Sequence, residues 1–283
     1  MNDGGEAGVD LDLPRALSHD GPLSLVVVAD STAFTDHLGP QLPSTRHLYP
    51  QVAARQLSER LGREVIATVI ARPGMTVRDA VRTVTKDQHV QFDVVAAADA
   101  VVVGVGSFDH APAGVPPSVE VLSAYLRPTA VRRQVRRVLK ASYPWLVNAT
   151  GGRRTRTPIG EFDRLFIELL EHLRGLTWGR VAGAAVGPTS HRSRYYGRGH
   201  PTHPQRQAHQ LALAEQHGFV GVASWPLVEP HAGELNVDGI HWPVAAHAAV
   251  GAAVADALLP ALEGRAPTVG LPATAAAALG RDR

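Results

Sequence analysis

The sequence predicts a doubly wound α/β fold, a five-stranded parallel sheet flanked by helices. Two observations predict it. Short apolar runs recur at Leu23–Ala29, 64–71, 98–106, 181–187 and 219–224. Runs without polar alternation suit strands covered on both faces, as in a parallel sheet. Between them lie helical patterns at Tyr49–Leu61, 77–85, 162–173, 205–217 and 243–259. Strand, helix, strand in repetition builds a layered parallel sheet. In such sheets ligands bind at the carboxyl ends of the strands, so the residues after each run are the ones to read for chemistry.

The remaining segments follow in order. Residues 1–21 are Gly-rich and acidic, with no basic stretch leading into an apolar one, and read as a flexible tail rather than a signal peptide. A single domain is expected over 22–260. Two stretches inside it break the alternation, 107–160 and 189–204, and read as irregular insertions or a lid. Within the first, 127–140 forms a basic helix candidate, with Val131, Val135, Val138 and Leu139 on one side and Arg132, Arg133, Arg136, Arg137 and Lys140 filling the rest. Residues 261–283, rich in Ala and Pro, read as a second flexible tail. No apolar run reaches the roughly 20 residues that span a bilayer, and the default setting is cytoplasmic.

Composition narrows the chemistry. The 283 residues are 45% hydrophobic, ample for a core, and contain no cysteine, which excludes disulfides, thiolate metal sites and a cysteine nucleophile. Lys and Arg number 28 against 26 Asp and Glu, a balance that argues against a nucleic-acid partner. His191, His200 and His203 invite a metal reading, but no carboxylate sits at a suitable spacing, so no metal is expected. Gly104 and Gly106 follow a strand without the third glycine of a dinucleotide loop.

Three loops carry the chemistry. Ala29-Asp30-Ser31-Thr32 places a serine directly after a buried strand, where Asp30 could equally be a helix cap. Gly104-Val-Gly-Ser-Phe-Asp109 ends the third strand, where glycines often only make room for a turn. Asn236-Val-Asp-Gly-Ile-His-Trp242 precedes the last helix, and one tight turn there sets Asp238 against His241. A carboxylate so placed fixes the imidazole tautomer and stabilises an imidazolium; the alternative is that Asp238 caps the helix and His241 packs beneath it.

Taken together, these pieces resemble the SGNH (GDSL-type) hydrolase superfamily. Ala29-Asp30-Ser31 matches its first block with Ala for Gly, Arg72-Pro-Gly74 the second, Gly106-Ser-Phe-Asp109 the third and Asp238-Gly-Ile-His241 the fourth. The chain is more particularly similar to the diglucosylglycerate octanoyltransferase group, through these blocks, Trp242 with Ala246-His247, the Arg127-Pro segment, the Pro188-Thr-Ser-His191 loop and Tyr196-Gly. The resemblance implies a flavodoxin-like SGNH fold with Ser31 as nucleophile, His241 as base and Asp238 as its orienting group. It implies an oxyanion hole from the N–H groups of Ser31 and Gly74. The third donor of the superfamily, an Asn, is replaced by Phe108; Ser107 and Asn236 are candidates for its part. Asp30, Phe108, Asp109, His191 and Trp242 are expected around the substrate. The implied reaction moves an acyl group from acyl-CoA, a co-substrate rather than a cofactor, to a small carbohydrate-type acceptor. Ester hydrolysis by the same machinery and a non-catalytic binding role are the alternatives, and homo-oligomerisation is left open.

Overall fold

The computed structural model describes residues 21–263, apart from 117, 118, 120, 121, 123 and 124. Of the tails expected over 1–21 and 261–283, residues 1–20 and 264–283 lie outside the described residues. Five strands form one sheet: β1 (Leu23–Ala29), β2 (Val65–Ala71), β3 (Ala100–Gly104), β4 (Ala182–Val186) and β5 (Val220–Val222). Their order is β2-β1-β3-β4-β5, with every pairing parallel. The chain therefore winds outward from β1 to β2, then returns across β1 to β3. That reversal opens a crevice beyond the carboxyl ends of β1 and β3, the usual place for a ligand in such a sheet.

Six main helices complete the layers: α1 (Tyr49–Leu61), α2 (Val77–Lys86), α3 (Thr129–Ala149), α4 (Ile159–Leu176), α5 (His203–Gln216) and α6 (Val244–Glu263). Alternate residues of β1 divide between two cores. Leu25, Val27 and Ala29 face α1 and α6, while Val26 and Val28 face the layer of α2 and α4. Both sets are fully buried, which is the physical reason the run carries no polar alternation. Gly251 lets α6 lie directly on α1, since a Cβ there would stand 2.6 Å from Val52 Cβ.

The expected architecture is present, with differences at the edges of elements. The basic helix begins at Thr129 and continues to Ala149, through Pro144. Tyr143 and Val147 sustain the extension by burying against Ala111 and Tyr196. The stretch 107–160 is thus less irregular than expected, and it also contains a short helical turn at Ser107–His110 and the first turn of α4. At the other end, α6 passes residue 260, where the tail was expected, and runs to Glu263 with Leu262 in the core. By length and composition α6 also suits a membrane span, with a mean hydropathy of 1.5. Here it is a core helix: Ala246, Val250, Val254 and Leu258 are buried among the side chains of the α1 face of the sheet.

Candidate active site

Each loop of the site follows from a local rule. After β1, Asp30 caps a single 3₁₀ turn, Ser31–Ala33, and its Oδ1 accepts hydrogen bonds from Thr32 N (2.9 Å) and Thr32 Oγ1 (2.7 Å). Ser31 is thereby fixed at the carboxyl edge of the sheet. After β2, Met75 N donates to Arg72 O and closes a turn in which Gly74 has φ 62°, a conformation suited to glycine. A side chain there would also press on Phe108, whose ring lies 3.2 Å from where a Cβ would stand. After β3, Gly106 at φ 123° starts the Ser107–His110 turn.

The fourth loop folds on its own side chains. Asp238 Oδ1 accepts from Ile240 N at 2.8 Å, and Asn236 Oδ1 accepts from Asp238 N at 3.1 Å. Asn236 N donates to His241 O, closing the turn. Gly239 has φ 70°, and its carbonyl accepts from Arg192 N at 2.7 Å, so this loop is tied to the 191–194 segment.

These loops converge on a continuous relay. Asp238 Oδ2 lies 2.7 Å from His241 Nδ1, and His241 Nε2 lies 2.9 Å from Ser31 Oγ. A carboxylate beside Nδ1 requires that nitrogen to carry the proton, which leaves Nε2 free to accept from the serine hydroxyl. Partial burial pushes the Asp238 carboxyl upward. The hydrogen bond and charge of His241, with the N–H groups of Ile240 and His241, outweigh that and hold it below the usual range. Asp238 is therefore the charged partner of the ring at neutral pH.

The relay opens into a cleft of about 380 Å³ lined by Ser31, Gly74, Ser107, Phe108, His191 and Ile240, among others. That is within the size of small-molecule sites, roughly 300–1,000 Å³. Neither Ser31 N nor Gly74 N has a hydrogen-bond acceptor among the described residues. Arg156 lies over the outer face of Phe108, 4.1 Å from the ring centroid. Burial, reinforced by the charge of His203 and Arg192, pulls the His191 imidazole down to about 4. His191 Nδ1 accepts from Ser193 N at 3.3 Å, so the neutral ring carries its proton on Nε2.

Ser31, Gly74, Phe108, His191, Asp238 and His241 are thus brought to one cleft. Asp30 lines the same cleft, and its Oδ1 is engaged by the turn that carries Ser31. Two other expectations, Asp109 and Trp242, need correction. Asp109 is fully buried and points away from the cleft: Oδ2 accepts from Val77 N (2.9 Å) and Oδ1 from Thr157 Oγ1 (2.6 Å). Trp242 is also interior, between Tyr49 and His247 with ring centroids at 5.8 and 5.3 Å. Sequence reasoning passed over Tyr196 and His200 as lining residues of the same cleft. In the sequence, Tyr196 enters only through the family resemblance and His200 only as a discarded metal ligand. Among the described residues, no three His, Asp or Glu side chains group in a way that could hold a metal ion.

A parallel sheet in this order, with a serine after β1 and an Asp-x-x-His turn before the last helix, places the molecule in the SGNH, or GDSL-type, class of acyl-transfer and ester-hydrolysing enzymes. Solved structures agree on the fold. The lipase/acylhydrolase from Enterococcus faecalis superposes with a TM-score of 0.54 at 14% identity, over 84% of this chain and 96% of that one. A protein described as a GDSL-like lipase from Parabacteroides merdae gives 0.54 at 12% identity, over 87% and 99%. No family model matches the chain. The diglucosylglycerate octanoyltransferase of Mycolicibacterium hassiacum is 30% identical over 236 residues, covering 80% of this chain and 91% of the relative. That of Mycobacterium tuberculosis is 29% identical over 239 residues, covering 80% and 88%. The chain belongs to the diglucosylglycerate octanoyltransferase family.

Proposed function

We propose that the chain is a serine acyltransferase that moves a short- or medium-chain acyl group, octanoyl in character, from acyl-CoA to a carbohydrate hydroxyl. The observation that carries this reading is the unbroken Ser31–His241–Asp238 relay at the floor of a largely apolar cleft. Ser31 Oγ attacks the thioester carbonyl while His241 Nε2 takes its proton; the imidazolium then returns that proton to the departing thiolate, leaving an acyl-serine and free CoA. An acceptor hydroxyl gives its proton to His241, attacks the acyl carbonyl and leaves as the ester, and Ser31 recovers its proton. The Ser31 and Gly74 N–H groups receive the oxyanion in both halves.

Ser107 supplies the donor that Phe108 does not. Its Oγ accepts from Thr189 N at 3.1 Å, which orients the hydroxyl and leaves its proton to give. Phe108, held between Gly74 and Arg156, walls the cleft with an apolar ring and limits the approach of water. Acyl-CoA is consumed as a co-substrate, no further cofactor is needed, and the cytoplasm is the setting that supplies it.

Mass spectrometry of the intact protein with octanoyl-CoA, and separately acetyl-CoA, tests the reading. An acyl adduct on the native chain and none on Ser31→Ala is expected, with the adduct clearing into an esterified sugar when glucosylglycerate is added. Adduct decay to free octanoate at the same rate with and without the sugar would assign the protein to ester hydrolysis instead. Absence of both adduct and CoA release would remove acyl-CoA as the donor.

A further inference from the structure

A second cleft lies on the other side of the 236–240 loop, about 520 Å³, lined by Lys140 of α3, by Arg192 and Arg194, and by the loop itself. We propose that this cleft binds the phosphate groups of the acyl donor, so that the donor straddles the loop with its thioester at Ser31. This assignment rests on the reading of acyl-CoA as the donor.

The cations are brought together by contacts that do nothing to neutralise them. Tyr143 of α3 stacks on Tyr195 with ring centroids 4.4 Å apart, and Asn148 Oδ1 accepts from Arg198 N at 3.0 Å. Those contacts set Lys140 beside the 192–194 segment. Lys140 and Arg194 have no ion pair among the described residues, and Arg192 has only Glu229, at 3.6 Å between two exposed groups. Among the described residues, the one carboxylate lining the cleft, Asp238, is occupied by His241 and by the N–H groups of Ile240 and His241. Like charges held in one concavity repel unless an anion joins them.

The surrounding charge has the same sign. From residue 121 to 160 the chain carries nine Lys and Arg and no Asp or Glu. Arg132, Arg133, Arg136 and Arg137 extend the basic face of α3 away from Lys140. Guanidinium groups match phosphate oxygens two at a time, and Lys adds a point charge. Asn236, Asp238 and Ile240 line both clefts, so only one loop separates the reacting carbonyl from the basic site. A single acceptor carboxylate needs fewer cations than are assembled here, whereas a nucleotide diphosphate with a further phosphate uses several.

Titration of the full chain with 3′,5′-ADP, a phosphate-bearing fragment that lacks the acyl arm, tests the site. Binding is expected, weakened at least tenfold in the Lys140→Glu/Arg194→Glu variant and several-fold in the milder Lys140→Gln/Arg194→Gln pair. Glycerate, the carboxylate probe, is expected not to compete. In turnover, the ratio of KM for octanoyl-CoA to KM for the octanoyl thioester of N-acetylcysteamine is expected to rise about tenfold in the Glu variant. No nucleotide binding, equal binding to native and variant chains, competition by glycerate, or an unchanged KM ratio would each overturn the assignment. The donor reading fails separately: a chain that binds 3′,5′-ADP at these residues yet forms no Ser31 adduct with either thioester keeps the phosphate site and loses the acyltransferase.

Discussion

At the scale of single residues, the site divides into groups that face the reaction and groups that hold them. In the proposed mechanism Ser107 belongs to the first. Ser107→Ala is expected to lower kcat about a hundredfold, the usual cost of one oxyanion donor, with KM nearly unchanged. Steady-state kinetics check this, and a fall in kcat below threefold would remove Ser107 from the oxyanion hole. Asp109 belongs to the second. Asp109→Ala strips Val77 N and Thr157 Oγ1 of their buried acceptor, so a loss of about 2–6 kcal/mol is expected in denaturant unfolding, at roughly 1–3 kcal/mol for each stranded group. The meeting of Ser31, Asp238 and His241 was legible because both of its parts are local: a serine shortly past a buried strand, and a carboxylate three residues before a histidine. Asp109 and Trp242 were misplaced because the direction of a side chain leaving a short turn depends on what packs beside it. Here α2 and Thr157 claim the first, and Tyr49 claims the second.

Among the elements, the loop over 236–241 has the most to lose from a small change. Gly239 sits at φ 70°, and a Cβ there would come within 2.5 Å of Arg192 C and Ser193 N. Backbone cannot yield as a flexible side chain does, so Gly239→Ala is expected to shift the loop, lengthen the Asp238–His241 and His241–Ser31 contacts, and cut kcat at least tenfold. A crystal structure or kinetics of the variant checks this, and native rates would show that the loop relaxes freely. The strands and most helices were legible because burial on both faces leaves uninterrupted apolar runs, while one buried face leaves a helical period. Element ends were less so. A proline inside a helix removes a backbone donor and reads as a stop, yet Tyr143 and Val147 on either side of Pro144 have an apolar partner in Tyr196 and keep α3 helical to Ala149. The paired clefts were not legible at all, since they depend on which loops meet above the sheet.

Across the whole molecule, the histidines make the fold sensitive to acid. Burial pulls His110 and His200 down to about 3 and His191 and His247 to about 4, with nearby positive groups adding to the effect. Their ordinary value is 6.5, so in this group the unfolded chain takes up protons before the folded one does. The stability they permit is complete above that value and is lost as pH falls from about 6.5 toward 4. Asp109 opposes them: burial raises its carboxyl from 3.8 to about 6, which favours the folded state as pH falls between those values. The buried Asp30 carboxyl is also raised by burial, but four imidazoles outweigh these two carboxyls, so the melting temperature is expected to drop steadily from pH 7 to pH 5. His247 provides the control. Its ring accepts from Tyr49 N and donates to Thr35 O, joining α1 to the strand-like segment after Ser31. His247→Gln can keep one of those bonds without titrating, so it is expected to melt lower than the native chain at pH 7 but to lose less on going to pH 5. Differential scanning calorimetry at several pH values reads both slopes. A melting temperature that is flat or rises toward pH 5 would mean that these imidazoles are already protonated in the fold, which requires acceptors or water at positions where the structure packs Phe162, Tyr196 and Tyr49 against them.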